Sequence, residues 1–521
     1  MAPQKKKADE ENHDEELELE MDLDDDDEWD VSLRPRGSSM SAPLSSSSPR
    51  DRPNNGPNVM HALEMDDITA LPARVSMPSM ASSAAARAQC LDRRSSWLDT
   101  AFLLVADIVG TGILGLAAQV ARLGWGAGVF FLLVIYPLNI YSGLLLQRLH
   151  IAYPATQSYP DIGYAVLGPR WGKIVAVALY AYFFFVLGNY AQVLTQSLQG
   201  IFSTSQLCMP HFGLIVTLCL LPFIQLRSMH SLSGLAVVSA VTIFTPLALC
   251  VAAIVKHAPT PRPVVPSGVP AGTSFLDAME SFTGILFAYS GQSIYPNLLS
   301  EMQKPEEFAY SLSAAAPVLV GSYFVAAAVG VYYLGSGAPH FLMDVLEDEW
   351  MRQIGGWCLF LHMLISYTIT SAVVSRAIHL WLDPVNANVT TGITPNVQWF
   401  FIALAVAMNS YIVSNVIPFF KDLTEIIGAL NLGPISFGFP ATLYIVHRLR
   451  ARRKSSGISL KAMSRLDWSV CILLLFLCAY TVPIGLWADV TALIRDWHTF
   501  GGPFDCHRYS AEHRSGISKN D

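Results

Sequence analysis

The feature that most constrains this chain is a succession of continuous apolar runs, each near the roughly 20 residues a helix needs to cross a bilayer. Eleven stand out: 97–121, 124–148, 172–200, 211–227, 232–256, 275–299, 309–335, 354–382, 397–417, 423–447 and 467–492. The runs lack the alternation of lipid-facing strands, so they predict helices rather than a barrel. Charge counts agree. Outside residues 1–96 only about one residue in ten is Asp, Glu, Lys or Arg, against roughly a quarter in soluble domains. A soluble globule of this composition would expose apolar surface everywhere, so lipid is the expected solvent. The expected fold is an all-α polytopic membrane protein of about 11 transmembrane helices.

The remaining charge sits at the front. Residues 1–96 carry 20 acidic and 11 basic side chains, with fifteen of the acids in 9–30. Residues 37–90 are rich in Ser, Pro, Ala and Asn. Neither stretch buries enough apolar surface to offset the entropy of ordering, so 1–92 reads as a disordered acidic tail. The plain reading is a solvated cytosolic segment; the functional one is a segment that binds cytosolic sorting partners. Lys5–Lys7 lead into acid rather than an apolar stretch, which is not the pattern of a secretory signal. The transporter-like body is expected over 93–495, with 496–521 a flexible C-terminal tail.

Lys and Arg set the orientation. With the N-terminus in the cytosol, sixteen basic residues flank the cytosolic ends of the runs, including the cluster Arg448–Arg465, and seven flank the other side. An odd number of crossings then puts the C-terminus opposite the N-terminus. The sequon Asn388-Val389-Thr390 falls on the cytosolic side and should stay bare. Most of the eight Cys lie inside apolar runs as small hydrophobes. Only Cys208 and Cys506 share a non-cytosolic loop side, and the sequence favours leaving them unpaired over a bridge.

Two runs are interrupted. In the first, Gly110, Gly112 and Gly115 surround Thr111, and Asp107 stands one turn earlier. Each Gly weakens a helix by about 1 kcal/mol relative to Ala, and an intramembrane carboxylate costs about 2.5–3.5 kcal/mol on insertion scales. In the sixth run Ser290-Gly291-Gln292-Ser293 breaks the pattern and Pro296 follows. Either break could serve close helix packing through small residues. The matched pair, each opening a set of five spans, is the pattern of transporters built from two inverted 5+5 repeats with discontinuous helices. Polar stripes elsewhere point inward: Asn189, Gln192 and Gln196 on the third run, and His362, Ser366 and Thr370 on the eighth. Singly, each is better explained by interhelical hydrogen bonding than by ligation.

At these residues the chain resembles the amino acid/auxin permease family, eleven-span amino acid transporters of LeuT-type fold. The likeness rests on Gly110-Thr111-Gly112-Ile113-Leu114-Gly115-Leu116 with Leu123-Gly124-Trp125. It continues in Ser158-Tyr159-Pro160-Asp161-Ile162-Gly163, Phe287-Ala288-Tyr289-Ser290-Gly291, Glu301-Met302-Gln303-Lys304-Pro305, and Pro418-Phe419-Phe420-Lys421-Asp422 with Ile427-Gly428-Ala429. It runs in order over about 97–492. The resemblance implies an amino acid substrate held by backbone groups freed at breaks in helices 1 and 6. Gly110, Thr111 and Gly112 would lie on the carboxylate side, Tyr289, Ser290 and Gly291 opposite, with Asn189 beside them. Half-helix N-termini suit a carboxylate and unwound carbonyls suit an ammonium or a cation.

Sodium-coupled members usually carry Asn where this chain has Ala106, and the neighbouring Asp107 is a departure. A carboxyl shielded from water favours its neutral form and can load and unload a proton. Proton coupling at Asp107, with Ser366 and Thr370, is therefore expected over sodium. Gln292 stands where the family often has His. The implied localisation is the plasma membrane or a vacuolar or lysosomal membrane.

No HExxH, GxSxG, P-loop or paired Cys/His metal spacing occurs, so neither an enzyme nor a resident metal or cofactor is expected, and nothing suits a nucleic acid. The alternative is a permease-like amino acid sensor without net transport, whose acidic tail would signal.

Overall fold

A computed structural model describes residues 95–227, 235–388, 392–454 and 463–506, and they form part of one compact unit. The acidic tail lies outside the described residues, as does most of the sequon at Asn388. Among the described residues the regular elements are all helices, apart from an isolated bridge between Ser95 and Met302.

In chain order the helices are α1 (Trp97–Ile108), α2 (Leu116–Ala152), α3 (Tyr159–Leu167), α4 (Pro169–Ile201), α5 (Met209–Leu220), α6 (Leu235–Lys256) and α7 (Phe275–Ala288). Then come α8 (Tyr295–Glu301), α9 (Phe308–Leu334), α10 (Glu349–Leu382), α11 (Ile393–Val416), α12 (Phe420–Asn431), α13 (Phe439–Lys454) and α14 (Arg465–Phe500). Among the described residues, eight helical stretches are long and apolar enough to cross a membrane. The first, fourth and sixth runs of the sequence do not yield such a stretch. The fourth gives only α5 and a 3₁₀ turn, Phe223–Gln225. The first and sixth are broken, as described below.

Local chemistry explains several helix starts. Ser96 with Asp99, Ser158 with Asp161, and Ser274 with Asp277 each form a capping box, which satisfies donors that a helix N-terminus leaves free. The first and second runs are joined almost without a loop: α2 contains a single non-helical residue, Gly124, with φ at 78°. α4 packs against α10 and α11, α2 against α7 and α9, and α12 against α7 and α14.

At one end of the bundle Ser95 N donates to Glu301 O and Gln303 N to Ser95 O, tying the start of α1 to the end of α8. At the other end α14 runs to Phe500, past the 495 boundary read from sequence. Trp497 Nε1 donates to Val416 O at 3.1 Å and Phe504 N to Asn415 O at 3.3 Å. Cys208 and Cys506 are joined by a disulfide with a Cα–Cα distance of 5.5 Å. The sequence reading had disfavoured that bridge; 298 residues of separation hide a proximity that only the packing of α5 against the C-terminal segment creates.

Candidate functional site

The first run unwinds where its glycines predict. α1 ends at Val109, Gly110 takes φ −116° and ψ −137°, and a 3₁₀ turn over Thr111–Leu114 leads through Gly115 into α2. In the sixth run α7 ends at Tyr289, and Ser290–Ile294 separate it from α8. The two breaks touch. A Cβ on Gly112 would lie 2.5 Å from Ala288 Cα, and one on Gly291 would lie 2.7 Å from Ile108 Cδ1. Only glycine, which has no Cβ, lets the segments approach so closely.

One hydroxyl joins them. Tyr323 of α9, fully buried, lies 2.7 Å from Ile108 O and 2.6 Å from Ala288 O, the carbonyls at the two helix ends. Backbone groups released by a break need a partner when buried, and Tyr323 supplies one donor to both. At Ser290 the hydroxyl and the backbone N–H both donate to Phe287 O.

A narrow hollow, with a cavity volume of about 30 Å³, opens between the breaks and α4. Its polar wall includes Asp107, Thr111, Ser290, Ser293 and Thr370, together with Gly110 and Gly112. Tyr182 and Tyr190 enter from α4, and Tyr182 interacts with Ser290 and Ser293. Ile108, Phe183, Val186, Phe287 and Ile294 supply apolar surface. No Lys, Arg or His lines the hollow, and among the described residues none pairs with Asp107. The hollow thus carries one carboxyl, several hydroxyls and an apolar wall.

Of the residues singled out in the sequence, Asp107, Gly110, Thr111, Gly112, Ser290 and Thr370 come together on this hollow. Asn189 stands one layer behind: its Oδ1 accepts from Thr111 Oγ1 at 2.8 Å, and its Nδ2 is buried without a hydrogen-bond partner. Tyr289, Gly291 and Ser366 are not on the wall. Tyr289 donates to Leu132 O at 2.8 Å, and its ring packs between Tyr136 and Tyr323. Gly291 is pressed against Ile108. His362 also faces elsewhere, with Nδ1 2.8 Å from the Ser239 hydroxyl, so it links α10 to α6. Gln292 is fully buried and bonded to Asn139, and its Oε1 accepts from Ser436 Oγ at 2.6 Å.

Sequence reasoning missed Tyr182, Tyr190 and Tyr323, and had Ser293 only as part of the break in the sixth run. Tyr182, Val186 and Tyr190 recur every four residues, one helix face that the polar stripe from Asn189 adjoins. That spacing was a usable signal. Tyr323 had none, because an apolar run with one tyrosine says nothing about two distant carbonyls.

Residues 93–486 match the model of a family described as transmembrane amino acid transporter protein. Amino acid transporter AVT1B of Arabidopsis thaliana is 24% identical over 404 residues, spanning 75% of this chain and 70% of that one. Amino acid permease 1 of Arabidopsis thaliana is 23% identical, spanning 76% of this chain and 90% of its own length. A crystal structure of MhsT in complex with L-phenylalanine aligns with a TM-score of 0.47 at 13% identity, covering 76% of this chain and all of that one.

Proposed function

Because this chain belongs to the transmembrane amino acid transporter family, we propose that it carries a neutral amino acid across its membrane by alternating access, driven by a proton held on Asp107. Membership makes it an integral multi-pass membrane protein that handles amino acids; substrate class, coupling ion and mechanism are our reading.

The observation that carries the reading is the hollow itself, where two helix breaks meet around a carboxyl without a basic partner. An amino acid needs donors for its carboxylate, acceptors for its ammonium and room for its side chain. Hydroxyls of Thr111, Ser290 and Ser293 and the unwound backbone at Gly110–Gly112 can meet the zwitterion. Val186, Phe183, Phe287 and Ile294 suit an apolar side chain, whereas an anionic one would find no opposite charge in the hollow and a cationic one would compete with the proton for Asp107. Asp107 shares the hollow with the substrate, so filling it with a proton and filling the hollow with a zwitterion are electrostatically linked. The resemblance to LeuT-type transporters supplies the motion: α1 and α7 with their continuations rock against α4 and α10. The charge bias supports a cytosolic N-terminus.

The test is uptake by reconstituted protein with a panel of neutral, cationic and anionic amino acids, with and without an inward proton gradient. Neutral substrates should accumulate, and the gradient should drive them. Asp107→Asn should cut gradient-driven uptake at least about tenfold while leaving substrate exchange between equilibrated compartments. Gradient-driven accumulation by that variant at the wild-type rate would remove Asp107 from coupling.

A further inference from the structure

Away from the hollow, a group of acidic side chains is buried between α7, α12 and α14. Lys421 Nζ lies 2.9 Å from Glu280, 3.3 Å from Asp422, 3.4 Å from Glu425 and 3.9 Å from Asp496. Arg122 reaches Glu280 at 3.3 Å. Arg495 reaches Asp277 at 3.2 Å, Glu280 at 3.5 Å and Asp496 at 3.5 Å. Three cations thus face five of the carboxyl groups. A sixth, Asp489 of α14, is fully buried and has no cation within ion-pair distance among the described residues.

The only hydrogen-bond partner of Asp489 there is a hydroxyl. Thr283 Oγ1 lies 2.7 Å from Glu280 O and 3.0 Å from Asp489 Oδ1. A threonine hydroxyl has one hydrogen and two lone pairs. That hydrogen can point fully at only one of the two acceptors; on the nearer Glu280 carbonyl it leaves a lone pair toward Asp489, and the 3.0 Å contact is then closed by a hydrogen on the Asp489 carboxyl. Other acceptors at the cluster lack donors too: Asp489 Oδ2, Asp422 Oδ2 and Gln119 Oε1 are all buried without a hydrogen-bond partner, although Gln119 Nε2 donates to Glu425 at 3.0 Å. An unpaired buried carboxylate is costly enough that it neutralises instead.

We propose that Asp489 is a proton-binding site, distinct from the Asp107 hollow, whose protonated form donates to Thr283 and seats α7 against α14. A metal cation fits less well. Among the described residues the only group of three or more His, Cys, Asp or Glu whose ligand atoms converge is Cys208, His211 and Cys506, so the carboxylates here form no cage. His340 does not compete for the proton: burial, with Arg122 and Lys421 nearby, holds its imidazole down at about 3. The seam is tight, since a Cβ on Gly428 of α12 would lie 2.1 Å from Thr283 O and one on Gly485 of α14 would lie 2.9 Å from Thr283 Cγ2. Losing the proton places an unpaired charge in that seam and loosens α7, the helix whose far end forms the second break. The consequence for flux rests on the transporter reading; the proton site does not.

The test is difference infrared spectroscopy on the full chain in nanodiscs across a pH titration. The wild type should show a protonated-carboxyl stretch that Asp489→Asn removes, that Asp107→Asn leaves in place, and whose frequency Thr283→Val shifts. Asparagine can donate to Thr283 as the acid does, so this variant should fold; Thr283→Val reports on the same bond without touching the acid. Identical carboxyl absorption in wild type and Asp489→Asn, or loss of the band on adding sodium but not potassium, overturns the proposal. In proteoliposomes Asp489→Asn should keep uptake going at alkaline pH where the wild type slows; an unchanged alkaline limb rejects the link to α7. A wild type without flux would defeat the transporter reading alone, leaving the infrared result to decide on the proton.

Discussion

Three of the stretches that leave the regular α-helix among the described residues are treated differently. Gly110–Gly115 and Ser290–Ile294 face the hollow. The third, Leu432–Gly438 between α12 and α13, is wound as a π-helix. Its carbonyls are closed by side chains from elsewhere: Tyr159 donates to Ile435 O at 2.6 Å and Ser142 donates to Ser436 O. Ser436 itself donates to Gln292. A π-helical turn often marks a functional site, but here Ile435 O, Ser436 O and the Ser436 hydroxyl are each bonded within the protein. The first two breaks keep hydroxyls and backbone on an open wall. What separates a site from a structural irregularity is who satisfies the freed groups, not the irregularity.

The comparison breaks most severely if a methyl group is tolerated between the two open breaks. In Gly112→Ala the new Cβ meets Ala288 backbone at 2.5 Å, which cannot rotate away. Overpacking of this kind costs about 1–3 kcal/mol, and moving the segments apart should abolish uptake and substrate-induced thermal stabilisation together. Gly433→Ala is the matching change at the closed break. There the Cβ meets Val482 Cγ2 at 2.2 Å, the tip of a side chain. That variant should lose melting temperature and keep its substrate KM. Equal loss of binding in both would erase the distinction.

A smaller effect is expected at the tyrosines. Tyr323→Phe leaves Ile108 O and Ala288 O without their shared donor, and Tyr159→Phe does the same to Ile435 O. Ile108 O keeps Gly110 N at 2.8 Å, so each variant orphans one buried acceptor, Ala288 O or Ile435 O, at a cost of about 1–3 kcal/mol, and both should unfold at lower temperature by similar amounts. Only Tyr323→Phe should also change turnover, because its carbonyls terminate the two helix halves beside the hollow. Transport kinetics of both variants, normalised to folded protein, check this. A turnover change in Tyr159→Phe alone would reverse the assignment.

How much of this was legible in the sequence follows the same division. The open breaks announce themselves, since three glycines in six residues and the Ser-Gly-Gln-Ser interruption are poor helix formers whatever surrounds them. Asp107 was legible because a carboxyl in an apolar run needs a reason. Tyr289 and Gly291 belong to a matching motif, but which face of a broken segment meets a hollow depends on packing, and here the ring turns to Leu132. The π-helical stretch had a trace, Gly433-Pro434, which read as a continuous span because its neighbours are apolar. Its closure by Ser142 and Tyr159, about 290 and 275 residues away, lies beyond any local pattern. The Cys208–Cys506 bridge and the Asp489 seam belong to that same class of long-range facts.

The smallest predicted effect gives the sharpest control. Ser142→Ala removes one hydroxyl from the closed break and leaves Tyr159 and Gln292 in place. The Ser436 carbonyl then has no side-chain donor from Ser142, and the space left is too small to force rearrangement. The expected cost is near the net value of one hydrogen bond, about 0.5–1.5 kcal/mol, seen as a modest drop in melting temperature with KM and turnover unchanged. The variant is informative because α2 also contributes Leu132, the acceptor of Tyr289, so α2 adjoins both the closed and an open break. Were this single hydroxyl to shift substrate affinity tenfold, α2 would be transmitting strain from the π-helical turn into the hollow. All three breaks would then act as one element rather than as two sites and a structural seam.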